Sequence, residues 1–321
     1  MRFQGACGLL FASVVWILPA AAANYESGYE ALTAGNYVAA ARLFSVESQN
    51  GDAFAKLALG HLYRVSRGVP LTDADKSAKL TLQAAEAGNC EAQYLIGTFY
   101  YRGYGLAQDQ KVALDWFEKS AFCGHAGAQL VVAQAYLDQP RTGNKAVSWL
   151  RASARQGHVH ALVMLADHYV ETGDTAISGG VAMHLYLRAA IRGYPLAAER
   201  IAGAFKRGMA MPPNPLATKR WQDLASQLAQ SRTESFVAVR ENPTPRGKQS
   251  ANTENLLGAG ARKRAAEMAS ALLGTFPLPE DFFSDLPEGV SVVQDGDPRR
   301  LRPDDQYGIP QHTFFVGKGF Q

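Results

Sequence analysis

The sequence predicts an all-α fold: a solenoid of stacked helical hairpins followed by a largely irregular C-terminal extension with one helix. Two observations carry this. One helix-face motif returns five times at nearly constant spacing, and a second motif returns inside each interval. The composition agrees: 30 of 321 residues are glycine and 47% are apolar, which suits close packing of small residues in a sizeable core. The net charge of +3 is spread along the chain. No basic stripe forms, so nucleic acid is not an expected partner.

The N-terminus reads as a targeting segment, residues 1–23. Met1-Arg2 is a short positive region, Gly8 to Leu18 an apolar run, and Pro19 its break. Ala21-Ala22-Ala23 supplies the small residues of a cleavage site before Asn24. Cys7 precedes most of the apolar run and has no Leu three residues earlier, so it is not a lipoprotein cysteine. The signal resembles a bacterial one, which places the expected mature protein in the periplasm. No later run reaches about 18 apolar residues, so no membrane span is expected after cleavage.

The repeat then sets in. "GDAFAKLALGHLY" (51–63), "GNCEAQYLIGTFY" (88–100), "GHAGAQLVVAQAY" (124–136), "GHVHALVMLADHY" (157–169) and "GYPLAAERIAGAF" (193–205) align. Their leading glycines, Gly51, Gly88, Gly124, Gly157 and Gly193, are 37, 36, 33 and 36 residues apart. The same spacing holds for Ala55, Ala92, Ala128, Ala161 and Ala197, and for the small residues Gly60, Gly97, Ala133, Ala166 and Ala202. It holds again for the rings of Tyr63, Tyr100, Tyr136, Tyr169 and Phe205. Eight residues before each leading glycine stand Leu43, Leu80, Trp116, Trp149 and Leu185. Each unit is therefore a first helix, a loop, a second helix and a glycine turn. The expected units are about 25–51, 52–88, 89–124, 125–157, 158–193 and 194–229.

A glycine inside a helix costs about 1 kcal/mol against alanine. At Gly60 and Gly97 the cost has a reason: the small residue lets the second helix approach, and the ring one turn on fills the space beside it. The leading glycines fit left-handed caps at the end of each second helix. Gly103-Tyr104-Gly105 is the loop between two helices. It lacks the preceding strand and the Lys-Ser/Thr of a phosphate loop.

The order Ala92, Ile96-Gly97, Tyr100, then Gly103-x-Gly105, then Asp109, Ala113, Trp116, Ala121 and Gly124 resembles the Sel-1-like repeat, one of the tetratricopeptide-like helical repeats. The resemblance covers about residues 25–229. Unit 124–157 lacks the G-x-G loop, units 157–193 and 193–229 have degenerate loops, and the first unit is closer to a generic hairpin turning at Gly35-Asn36. The resemblance implies a right-handed α/α superhelix with a long concave face. It also implies a non-catalytic scaffold for one or more envelope proteins, in envelope assembly or in control of signalling or exopolysaccharide. Some cysteine-rich relatives are described as β-lactamases or penicillin binders. This implies a rival reading, a hydrolase of cell-wall peptides or β-lactams, although the dense cysteine pairing of those relatives is missing here.

The concave row follows a spacing of 3, 4, 3 beside the core stripe of each first helix. It holds Phe54, Leu57, His61 and Arg64; Glu91, Tyr94, Thr98 and Tyr101; Gly127, Leu130, Gln134 and Leu137. His160, Val163, Asp167 and Val170, then Leu196, Glu199, Gly203 and Lys206, complete it. The partner-binding candidates are Phe54, His61, Arg64, Tyr94, Thr98, Tyr101, Gln134, His160, Asp167, Glu199 and Lys206. The competing reading is that several of these, Leu57, Leu130 and Val163 above all, pack between units.

Cys90 opens one first helix and Cys123 closes the second helix of the same unit, and these ends are adjacent in an antiparallel hairpin. A disulfide is expected in an oxidising compartment. It would close a loop of about 34 residues, which the loop-entropy argument values at about 3 kcal/mol. The seven histidines show no HExxH or other metal spacing, so neither metal nor cofactor is expected. No GxSxG or SxxK is present. Arg141-Thr142-Gly143 resembles a KTG element but has no SxxK partner.

Beyond Ala229 the period ends. "RENPTPRGKQSANT" (240–253) reads as part of a linker covering 230–253. Residues 254–273 can form a helix with Leu257, Ala261, Ala265, Met268 and Leu272 on one side. "FPLPEDFFSDLPEGVSVV" (276–293) alternates acidic and apolar residues. It suits either a segment that orders on a partner or one that folds back on the solenoid.

Overall fold

The computed structural model describes residues 20–65, 73–137, 143–173, 176–241, 249–284 and 286–290. Thirteen helices and no strand occur among them. Residues 1–19 of the expected signal lie outside the described residues; Ala20 to Ala23 open the first helix. Arg141-Thr142 and residues 291–321 also lie outside.

Six hairpins follow in chain order: α1 (Ala20–Thr33) with α2 (Tyr37–Gln49), α3 (Ala53–Val65) with α4 (Ala74–Glu86), and α5 (Cys90–Arg102) with α6 (Gln110–Phe122). Then come α7 (Ala126–Leu137) with α8 (Gly143–Arg155), α9 (Val159–Thr172) with α10 (Ala176–Ile191), and α11 (Pro195–Arg207) with α12 (Pro215–Glu241). Each helix packs on the next in sequence, within and between hairpins. Helix α13 (Gln249–Leu273) departs from this order and returns onto α10 and α12.

The local chemistry explains the hairpin boundaries. The five leading glycines have φ between +71° and +96°, a conformation that costs a side chain dearly. The residue after each glycine stands just before the first turn of a first helix. Asp52 and Asn89 accept from the backbone N–H groups of Ala55 and Ala92 (2.8 and 2.9 Å). Second helices are capped likewise: Asn36, Asp73, Asp109 and Asn214 accept from Ala39, Lys76, Val112 and Ala217. Each such cap stabilises its helix by about 1 kcal/mol.

The small residue inside the first helix has the expected role. A Cβ on Gly97 would lie 2.9 Å from the Phe117 ring and 3.1 Å from the Ala113 carbonyl oxygen, so α5 and α6 touch there. The core is built unit by unit. Leu32, Phe44, Leu59 and Leu62 form one cluster, Leu57, Ala85, Ile96 and Phe99 a second. From Ala113 onward one continuous cluster runs through Trp149, Leu165, Leu185, Ile201 and Trp221 into the C-terminal segment. Cys90 and Cys123 form a disulfide with Cα atoms 5.8 Å apart, which suits an oxidising compartment. Among the described residues no helix is long and apolar enough to cross a membrane.

The expected linker differs from what is found. Residues 230–241 continue α12, and α13 already starts at Gln249. Nothing from Ser231 to Glu241 breaks a helix, and Pro243 disfavours helical geometry at the residue before it. The helix therefore runs on past the point near 229 where the repeat ends. Beyond α13, residues 274–284 and 286–290 form turns and irregular structure rather than helix. They lie against the solenoid, with Phe276 and Phe282 buried in the main cluster.

Candidate functional site

The candidate row of the first helices is a ladder of contacts between consecutive units. Phe54 packs on the first-unit cluster and Leu57 is buried in the second. Arg64 donates to His61 Nδ1 at 2.9 Å. Burial, with the positive Arg64 beside it, lowers the His61 pKa to about 3, so the ring is neutral at pH 7. Burial also lowers the Arg64 pKa, against the pull of Tyr104 and Glu91.

In the next unit the Tyr94 ring stacks on His125 with centroids 4.4 Å apart. Burial pushes the Tyr94 phenol up, and the Glu91 carboxylate adds to this. The backbone N–H of Ala128 donates to His125 Nδ1 (3.1 Å), while Nε2 faces Glu91 Oε2 at 2.9 Å. The network therefore assigns the proton to Nε2, so that one imidazole caps α7 and donates to Glu91. Thr98 is buried and its hydroxyl donates back to the Tyr94 carbonyl (3.1 Å), which turns it away from solvent. Tyr101 is half-buried, and its carbonyl accepts from the Gln108 amide at 2.9 Å.

Gln134 lies 3.5 Å from the Met164 sulfur, one unit on. His160 contacts both His158 and Tyr194, with ring centroids 5.7 and 4.8 Å away. Asp167 accepts from the Tyr186 hydroxyl at 2.5 Å and from Arg200 Nε and Nη2 at 2.9 and 3.1 Å. Glu199 and Lys206 are exposed at the far end. Leu130 and Val163 are buried, as the packing reading requires. The row is thus a half-buried seam whose outer edges reach solvent. No group of three His, Cys, Asp or Glu side chains among the described residues is placed to hold a metal ion.

The repeat motif reads the same way across units. The sequence model of the Sel1 repeat matches residues 53–89, 90–125, 127–158 and 159–194. The chain is a Sel1-repeat protein. The matched segments are the four hairpins from α3 to α10; α1–α2 and α11–α12 flank them. Two solved structures share the fold of this Sel1-repeat protein. A protective antigen of uropathogenic Escherichia coli displaying an SLR fold is 23% identical, with a TM-score of 0.57 over 86% of this chain and 66% of the antigen. This chain therefore spans just under two thirds of the antigen's length. A Sel1 repeat protein from Oxalobacter formigenes is 24% identical, with a TM-score of 0.53 over 65% of this chain and 88% of that one. No functionally curated protein matches it in sequence.

Two features of this Sel1-repeat protein escape motif reading. Tyr186 and Arg200 meet at Asp167 from α10 and α11, and no spacing rule joins them. Arg151, Tyr169, His184 and Arg188 form a second face, which the C-terminal segment covers. The sequence hint was only the unusual Phe282-Phe283 pair among acidic residues.

Proposed function

We propose that this Sel1-repeat protein is a non-catalytic scaffold of the bacterial envelope that holds a partner protein along the first-helix row. The observation that carries the reading is the continuity of that row. Half-buried aromatic and polar side chains run from Phe54 to Asp167 and are tied from unit to unit, so a long, preorganised surface meets the partner at little ordering cost. Tyr94 and Tyr101 are the anchors, because rigid rings with a polar tip dominate binding energy at such surfaces. The N-terminal signal pattern and the Cys90–Cys123 disulfide support a periplasmic setting. Envelope assembly and control of signalling are the processes the family resemblance favours.

A photo-crosslinking residue in place of Tyr101, in the full chain expressed in its own envelope, tests the reading. The expected result is a discrete crosslinked protein that is lost on Tyr94→Ala and absent with the probe at exposed Lys111. Equal labelling from both positions, or none, would overturn the scaffold reading and turn attention to hydrolase assays.

A further inference from the structure

The C-terminal segment folds back on the solenoid. It crosses the second helices of the last three units. Ala261, Ala265 and Ala269 of α13 are buried against the solenoid core, and Arg264 donates to Gln227 of α12 at 2.6 Å. Residues 276–284 then run on towards α8. His184 Nδ1 lies 2.6 Å from the Phe276 carbonyl oxygen. The Arg188 guanidinium sits 5.2 Å from the Phe283 ring centroid. Arg151 sits 5.5 Å from that of Phe282, and Tyr169 packs on the same ring at 5.7 Å. Arg151 also donates to the Tyr169 hydroxyl at 2.8 Å, which fixes its plane. Two rings are thus each paired with one arginine, and Glu280 and Asp281 stand just before them.

Among the described residues, residues 276–284 do not fill this seat to its end. An open cleft of about 480 Å³ continues from it, lined by Asn144, Lys145, Ser148, His168, Arg151 and Tyr169. Arg151 and Tyr169 belong to both the seat and the cleft. Lys145 and Arg151 give the cleft a basic character that suits carboxylates. The chain's own segment therefore uses only part of a longer surface of matching chemistry.

We propose that the face of Arg151, Tyr169, His184 and Arg188 is a docking site for a partner protein's extended segment carrying two adjacent aromatic residues among carboxylates, and that residues 276–284 occupy it as a resident competitor. The surface differs from the first-helix row, so the proposal extends the scaffold reading without resting on the same residues. Tethering presents the resident segment at an effective concentration on the order of millimolar, so a free peptide competes poorly until the tether's rings are removed. A partner that also fills the cleft gains contacts the resident segment lacks.

The test uses the full chain and a fluorescent synthetic peptide of residues 276–290, read by anisotropy. The Phe282→Ala/Phe283→Ala variant is expected to bind it roughly tenfold or more tightly than the unaltered chain. Adding Arg151→Ala and Arg188→Ala to that variant is expected to weaken binding again by roughly tenfold. Helical circular dichroism checks that each variant folds. If the alanine pair fails to fold, Phe283→Ser alone provides the same comparison at a half-exposed position. Binding no tighter in the ring variant than in the unaltered chain, or unaffected by removing both arginines, would overturn the proposal. Crosslinking at Tyr101 would be untouched by that failure, so the two readings fall separately.

Discussion

Cys90, the first residue of α5, is disulfide-bonded to Cys123, the residue that closes α6. The bond ties the beginning of one hairpin to its end. A second tie lies beside it, where the Ser120 hydroxyl donates to the Cys90 carbonyl at 2.7 Å. The native hairpin therefore keeps its shape without the bond, and the bond acts mainly by restricting the unfolded chain. Cys90→Ser/Cys123→Ser is expected to lower stability by about 3 kcal/mol. Chemical denaturation checks this: the unaltered chain in excess reductant should unfold at the same midpoint as the double variant.

Gly97 gives the opposite kind of test, because helix propensity and packing pull against each other there. Alanine would gain about 1 kcal/mol of propensity. Its Cβ would meet the Phe117 ring at 2.9 Å, and that ring is fully buried and cannot swing away. Overpacking of this kind costs about 1–3 kcal/mol. Gly97→Ala is expected to destabilise by a net of about 1 kcal/mol, and Phe117→Leu in the same chain should restore part of the loss. Denaturant midpoints of the two single variants and the double variant provide the measurement.

These two sites also mark what the sequence made legible. The turn glycines and the small residues recur because each hairpin solves the same local problem, so their period revealed the unit boundaries. Contacts that join distant segments leave no period. The seating of Phe282 on Arg151 depends on what α13 packs against, and nothing local encodes that. The row on the first helices was legible in position but only partly in role. Periodicity put Thr98 and Asp167 on it, but could not tell that one turns back to its own backbone and the other is spent on Tyr186 and Arg200.

His61 makes the stability pH-dependent. In the unfolded chain its imidazole takes up a proton near pH 6.5, whereas in the folded chain burial and Arg64 hold that step down to about pH 3. Between those values the unfolded state binds more protons than the folded state, so stability falls as the pH drops through this window. The slope is at most about 1.4 kcal/mol per pH unit for one such group. Urea unfolding at pH 7, 6, 5 and 4 should show this loss, and His61→Gln should flatten it. An unchanged slope in the variant would mean that other groups carry the acid sensitivity.

Asp167 decides between groove and scaffold roles at one position. Its carboxylate accepts from Tyr186, whose side chain is almost wholly buried, and from the partly exposed Arg200. The Arg200 pair is partly solvated and contributes modestly. The Tyr186 hydroxyl has no such relief, and removing its acceptor leaves a buried donor unpaired, at a cost of about 1–3 kcal/mol. Asp167→Ala is therefore expected to lose about 2 kcal/mol. Asp167→Asn, which keeps an acceptor for the hydroxyl, should lose about half as much. Tyr186→Phe in the Asp167→Ala chain should recover most of the cost, since no donor is then left without a partner. A double-mutant cycle on thermal or denaturant stability measures this coupling. Strong coupling makes Asp167 a strut between units 158–193 and 194–229. Full stability in Asp167→Ala, with loss of the Tyr101 crosslink, would instead make it a residue that touches the partner.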